Sequence, residues 1–327
     1  MASEELMSSQ EKRFLDELLQ HYNLLATEAK KKHPHVKEAC ETGQIRVRNA
    51  SSPRMLAAMG LRAALSAESQ QILEPFFMGC DTKAPKMVQL SINAMQKMVI
   101  FECLNSAAAG NLLLCLWTLM EGGVEEVKIL QTVTLLLTTN RLVAAEQLAR
   151  TISLCFRLHY TKNPTTNNTA SATIRQLVTV IFERVQAEEK AEKEKREKEK
   201  SASISSASSS SSVSSPTEAS EAGSTNTTAT TTTTSKSQAE RLFEPVTSSQ
   251  CRYRPMKLKP AAVDAFNFLQ DLIQIINGEA PFWLSTGGIG GGSADQHSLV
   301  EIAKTFGLEL LELIIDQYAD VFHNVNA

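Results

Sequence analysis

The stretch I-L-Q-T-V-T-L-L-L-T-T-N, residues 129–140, decides the fold class. Ile129, Leu130, Val133, Leu136 and Leu137 recur at the spacing of one helical face, and a stripe that broad has to be covered by another element. Downstream, after the polar N-N-T-A-S-A-T, Ile174, Leu177, Val178, Ile181, Phe182 and Val185 repeat the pattern. Asn168 or Thr169 is the expected N-cap of that helix. Two such stripes in close succession predict helices stacked on helices.

Working outward, the region from Ser9 to Lys190 reads as about eight amphipathic helices joined by short turns, with no convincing strand. Leu15, Leu18, Leu19, Tyr22 and Leu25 form one stripe; Met87, Leu90, Ala94 and Met98 form another; Leu113, Leu116, Trp117 and Met120 a third. Pro34 and Pro85 suit first helical positions, Gly122-Gly123 closes the helix of Trp117, and Asn140 ends the opening stretch. Starts recur about every twenty residues, so helix pairs recur about every forty, the period of HEAT and armadillo arrays. The expected fold is therefore all-α, an armadillo- or HEAT-like helical solenoid. Only Ile45-Arg46-Val47-Arg48 alternates in a way that predicts extended backbone.

The polar punctuation divides the chain. Residues 1–190 form the helical domain, whose last helix runs on into A-E-E-K-A-E-K-E-K-R-E-K-E-K from residue 187, and residues 191–258 form the charged helical extension followed by a linker. The extension is held by Glu–Lys pairs at three and four positions. Ser201 to Ser237 is nearly all Ser, Thr and Ala, which cannot repay the entropy of ordering and predicts disorder. Residues 259–327 form a short second helical segment. Phe266, Leu269, Leu272, Ile273 and Ile276 are expected on the buried face of its first helix; Ile302, Phe306, Leu310, Leu313 and Ile314 mark a second that starts near Ser298. Two helices are too few for an independent domain.

Composition excludes several function classes. The 327 residues carry a net charge of -3 and 43% hydrophobic residues, enough for a substantial core and without a global attraction to nucleic acid or anionic membrane. Cys40, Cys80, Cys103, Cys115, Cys155 and Cys251 lack C-x-x-C spacing and sit among apolar neighbours, so a reducing compartment is expected. No apolar run approaches a bilayer span, and the sequons at Asn167 and Asn226 therefore carry little weight. His33-Pro34-His35 has no companion ligands, and the Gly-rich stretch after Leu284 has neither a preceding strand nor a P-loop lysine. Neither catalytic motif, metal site nor cofactor site is expected, and the chain reads as a non-enzyme. Trp117, Trp283 and the methionines between Met87 and Met98 are assigned to the core.

Two features remain as candidate interaction sites. Lys30, Lys31, Lys32, Lys37, Arg46 and Arg48, with Arg54 nearby, form a basic patch for an anionic lipid or a partner. Each residue of such a patch gains roughly 1 kcal/mol near an anionic leaflet when the charges face one way. Ser215, before Pro216, is a candidate phosphorylation site in the linker.

These residues also carry a resemblance. K-K-K-H-P-H-V-K-E-A, P-F-F-M-G-C-D-T-K-A-P-K, A-A-G-N-L-L-L-C-L-W-T-L-M-E, the stretch at 129–140, C-F-R-L-H-Y-T-K-N and the block at 167–185 resemble the N-terminus of the MON-two (monensin-sensitivity) family. That family comprises large relatives of the Sec-seven guanine nucleotide exchange factors for Arf GTPases. The match extends from Ser9 to about Gln186, the dimerisation and cyclophilin-binding (DCB) domain. It resumes at L-K-P-A-A-V-D-A-F-N-F-L-Q-D-L and T-F-G-L-E-L-L-E, the start of the homology-upstream-of-Sec-seven (HUS) region. The resemblance implies an armadillo-like domain that homodimerises. It also implies a peripheral scaffold of the trans-Golgi network and endosomes, acting in endosome-to-Golgi traffic with Dopey-type proteins, a phospholipid flippase and Arf-like GTPases. The family lacks the Sec-seven catalytic domain. The long Ser/Thr linker, the Gly-rich insertion and a C-terminus far short of the family's length depart from its pattern, and imply a fragment or a short isoform. Two alternatives stand beside this reading: the regulatory N-terminal region of an Arf exchange factor, and an anionic-lipid-binding module.

Overall fold

A computed structural model describes residues 7–29, 32–139, 142–207, 258–286 and 304–323. Every regular element among them is a helix: α1 Ser9–Ala29, α2 Pro34–Ala50, α3 Pro53–Met59, α4 Leu61–Ala67, α5 Ser69–Asp81, α6 Pro85–Ile100, α7 Ser106–Glu121, α8 Glu126–Thr139, α9 Ala145–His159, α10 Pro164–Ala207, α11 Pro260–Asn277, α12 Trp283–Thr286 and α13 Lys304–His323. The fold is an all-α helical solenoid. The starts of α6 to α10, at residues 85, 106, 126, 145 and 164, fall 19 to 21 residues apart, the repeat expected from the sequence.

Local chemistry sets these boundaries. At the start of α1, Ser8 and Glu11 form a reciprocal capping box: Glu11 N–H donates to the Ser8 hydroxyl at 3.2 Å, and Ser8 N–H to the Glu11 carboxylate at 2.8 Å. Pro34, Pro53 and Pro85 open α2, α3 and α6, where a missing N–H costs nothing. Asn105 caps α7 by accepting from Ala108 N–H at 2.8 Å. At the end of α7, Gly123 adopts φ 64, and Val124 N–H returns to the Leu119 carbonyl at 3.0 Å.

The chain departs from the sequence expectation in three places. Ile45–Arg48 is helical, the closing turns of α2; Val36, Cys40, Gly43 and Val47 face the core at helical spacing. Asn168 and Thr169 lie inside α10, which starts five or six residues earlier than a cap at Asn168 or Thr169 implies. Pro164 takes the first helical position, and the Asn163 carboxamide accepts from Thr165 N–H at 3.0 Å. Helix α10 also continues through Ala207 into the Ser-rich run, because extending an existing helix carries no nucleation cost. Asn140, Ser298, the linker from residue 208 onward and the Gly-rich stretch lie outside the described residues.

Among the described residues, those of Met1–Glu188 and Pro260–Ala327 form one compact unit, and those of Glu189–Lys259 another. In the first, α2, α5, α7 and α9 pack successively as one row, and α1, α6 and α8 as a second row against it. Both defining stripes are buried, from Ile129 to Leu137 and from Ile174 to Val185. Trp117, Trp283, Met87, Met95 and Met98 are core residues, as are Cys40, Cys80, Cys103 and Cys155; Cys115 is half-buried. Burial pushes the thiols of Cys40 and Cys103 up to about 12, so they behave as small hydrophobes. Helices α11 and α12 pack on α9, and α13 packs on α11. In the second unit, exposed pairs such as Arg196–Glu192, at 2.7 Å, line the extension, and Lys259 pairs with Glu192. Cys251 lies outside the described residues.

Candidate interaction surface

The described basic residues of α2 divide between two sides of the helix. Lys37 and Arg48 lie eleven positions apart on one face of α2, but Lys37 pairs with Glu41 at 3.4 Å. Arg46 sits on the opposite side of the helix and pairs with Glu68 at 3.0 Å. Such exposed pairs contribute about 0–1 kcal/mol each, yet they halve the net charge on offer. Lys32 is exposed just ahead of α2; Lys30, Lys31 and Ser215 lie outside the described residues.

Arg46 instead lines a cleft of about 440 Å³ between α2, α5 and α7, together with Thr42, Gln70, Gln71, Glu74 and Asn111. Its lining combines carboxamides, a hydroxyl, the Arg46 guanidinium and the Glu74 carboxylate with the apolar Ala39 and Pro75. No imidazole or thiol lines it. His33 and His35 stack edge to face at 5.9 Å near the start of α2, and no group of three or more His, Cys, Asp or Glu among the described residues is placed to hold a metal. No described helix is long and apolar enough to cross a membrane.

The more distinctive surface belongs to α11 and α13. Helix α11 buries Ala265, Phe268, Leu272 and Ile275 together with two carboxylates, Asp264 and Asp271. Asp264 accepts from Ala145 N–H, and Asp271 from Phe282 N–H at 3.0 Å and Leu284 N–H at 2.6 Å, so each caps the N-terminus of another helix. Burial pushes both carboxyls above their ordinary range, opposed by those backbone donors. Ser153 on α9 ties the same corner by donating to the Leu284 carbonyl at 2.8 Å. On α10, Arg184 donates to the Val143 carbonyl at 2.7 Å and to the Leu137 carbonyl at 3.3 Å.

With the aspartates turned inward, Phe266 and Ile273 point outward, 50% and 44% exposed, rather than into the core as their apolar character predicts. On α13, Leu308 and Ile315 are likewise 52% and 54% exposed. The two helices cross closely where a Cβ on Gly307 would meet Ile276 at 2.7 Å. Leu269, Ile276 and Leu311, partly buried, line this seam, and the four exposed residues flank its outer side. The sequence signal for Leu308 and Ile315 was their seven-residue spacing, masked by the stronger Phe306, Leu310 and Ile314 stripe. The inner side of the seam is closed by aromatic contacts: Phe306 stacks on His159 at 4.5 Å, and Tyr318 on Phe182 at 5.3 Å.

The chain is 39% identical over 326 residues to the Protein MON2 homolog of Xenopus laevis, covering 98% of this chain and 15% of the relative. It is 38% identical to the Homo sapiens protein of that name, covering 95% and 15%, and 35% identical to the Drosophila melanogaster one, covering 96% and 15%. The chain thus spans about 15% of the length of these relatives. No solved structure matches it significantly. A model of the Mon2/Sec7/BIG1-like dimerisation and cyclophilin-binding domain matches residues 9–189, more than half of the chain, which therefore belongs to that family.

Proposed function

We propose that the chain serves as a non-enzymatic scaffold in vesicular traffic between endosomes and the Golgi, self-associating through its N-terminal helical domain. The observation that carries this reading is the family match over residues 9–189, the segment that builds the two packed helix rows. Such rows offer broad, rigid surfaces for partners rather than a catalytic pocket. The family description names dimerisation and cyclophilin binding, which makes a homodimer the first expected assembly. By resemblance, the further partners are a Dopey-type protein, a phospholipid flippase and Arf-like GTPases, and the working location is the cytoplasmic face of trans-Golgi network and endosome membranes. In this reading residues 259–327 begin the HUS region.

The test is affinity capture of the tagged chain from cell extract beside a Leu136→Pro variant, paired with light scattering of the purified chain. Leu136 is fully buried in α8, and proline there removes a helical hydrogen bond and breaks the row. Recovery of a Dopey-type protein or flippase with the parent alone, and a mass that rises with concentration towards a dimer, supports the reading. A concentration-independent monomer that captures neither removes it.

A second reading rests on the Sec7 and BIG1 names in the same family description: a regulatory N-terminal region of an Arf exchange factor. Nucleotide-exchange assays on the longest natural transcript separate the two, because exchange requires a Sec-seven domain encoded beyond these residues.

A further inference from the structure

We propose that the outer side of the α11–α13 seam docks an amphipathic helix of a partner protein, apolar on one side and rich in Lys and Arg along one edge. Three observations carry this. Phe266 and Ile273 on α11, and Leu308 and Ile315 on α13, are each two helical turns apart, a span of about 10 Å. Together they rim a strip floored by Leu269, Ile276 and Leu311, the shape that a third helix fills when it packs across a helix pair. Side chains this large and this exposed, clustered across two packed helices, mark an interaction site rather than random surface.

Charge selects the occupant. Beside Leu308 and Ile315, the exposed Glu312 and Asp316 stand four residues apart along the free edge of α13, ahead of the kink at Tyr318. The opposite border, on α11, is uncharged, with Gln270 and Asn277. A second copy presenting the same face brings one cation, Lys304 at the start of α13, and sets its own Glu312 and Asp316 against those of the first, so like charges outnumber the opposite pair. An anionic membrane surface is repelled by it. A helix whose basic edge lies along Glu312 and Asp316 satisfies both the apolar strip and the acidic border. This site lies apart from the basic residues of α2 and does not depend on the trafficking role.

The probes are two fluorescein-labelled, 18-residue amphipathic helices, one built of Leu and Lys, the other of Leu and Glu, titrated with the whole chain and followed by anisotropy. The Leu/Lys helix is expected to bind and the Leu/Glu helix not. Ile273→Ser combined with Ile315→Ser should weaken Leu/Lys binding by about tenfold or more, with an unchanged circular dichroism spectrum, since both side chains are already half exposed. Glu312→Lys combined with Asp316→Lys should reverse the preference between the two helices. Equal binding of both helices, no binding, or binding indifferent to all four substitutions overturns the proposal. So does a light-scattering dimer that the Ile273→Ser, Ile315→Ser variant converts to monomer, because the face then belongs to a second copy.

Discussion

The Asp264 carboxylate caps helix α9 from 119 residues further along the chain, accepting from the backbone N–H of Ala145 at 3.1 and 3.2 Å. Helix α9 needs it. Ala144 supplies no side-chain cap, and Ala145 sits at φ 49, a left-handed conformation that strains a residue with a Cβ. A negative carboxylate at that terminus also meets the positive end of the helix dipole. The cap thereby couples α11 to α9, and with it the segment after the linker to the domain before it.

Asp264→Ala should therefore lower stability by about 1–2 kcal/mol, the usual cost of a lost cap whose donor is left unpaired. Asp264→Asn, which keeps an acceptor and loses the buried charge, should cost less. Urea unfolding of the three chains checks this. An alanine variant as stable as the parent would show that the α9–α11 coupling carries no weight.

The titration of buried groups gives a second expectation. Burial lowers the pKa of His21 and of His159, helped at His21 by the nearby Lys97 and at His159 by Arg175. His159 is enclosed by Phe306, by Tyr160, and by Ser171, whose hydroxyl lies 3.0 Å from Nδ1. Each imidazole gives up its proton more readily in the fold than in the unfolded chain, so as pH falls through the ordinary value of 6.5 the unfolded chain takes up protons first. The stability they contribute is complete above that value and drains as pH falls from it. Asp264 and Asp271 act with the opposite sign: their raised carboxyls bind protons in the fold before the unfolded chain does, so acidification through their folded values favours the fold. Stability should thus drop from pH 7.5 to 5.5, and His159→Gln should flatten that drop. A drop of the same size in the variant would remove His159 from the account.

How much of this was legible in the sequence follows from what burial does to each residue type. The stripes at 129–137 and 174–185 are apolar on one face only, so their periodicity and their burial coincide. In α2 the inward positions are Val36, Cys40, Gly43 and Val47, a stripe in which two members are small, while the outward Ile45 is 56% exposed; alternation around it imitates a strand. In α11 nearly every side of the helix is apolar, and the inward side is chosen by Asp264 and Asp271, residues that a pattern assigns to solvent. Their role depends on helix termini brought close by the tertiary fold, which spacing along the chain does not reveal. For the basic residues of α2, sequence proximity hides that Arg46 and Lys37 lie on opposite sides of a helix.

Close helix approach at Gly43 yields a third prediction. A Cβ there would lie 2.6 Å from the ring of Tyr22, and that ring is fixed by its hydroxyl donating to the Ile72 carbonyl at 2.5 Å and by Phe76 at 4.7 Å. Gly43→Ala should destabilise the domain by about 1–3 kcal/mol through overpacking. Gly110→Ala, in α7, is the control: its Cβ meets only the flexible end of Gln147 at 3.2 Å, and the gain in helix propensity should stabilise by about 0.5–1 kcal/mol. Thermal or urea unfolding of both variants decides, and equal effects would mean that the α1–α2 contact is looser than its geometry.

The division of charge on α2 bears on membrane binding. Lys37 shares a face of α2 with Arg48, and Glu41 neutralises part of that face, whereas Arg46 pairs with Glu68 on the opposite side; Lys32 is exposed just ahead of the helix. A gain of roughly 1 kcal/mol per residue near an anionic leaflet requires several unpaired charges on a common face, whereas here Glu41 offsets Lys37 and Arg46 faces away. Reversal of Lys32 and Lys37 to Glu should therefore change the affinity for phosphatidylserine vesicles by less than about threefold at physiological salt, as read by co-sedimentation. A loss of tenfold or more would instead place α2 against the membrane, with Lys32 and Lys37 as contacts and the Glu41 pair opened on binding.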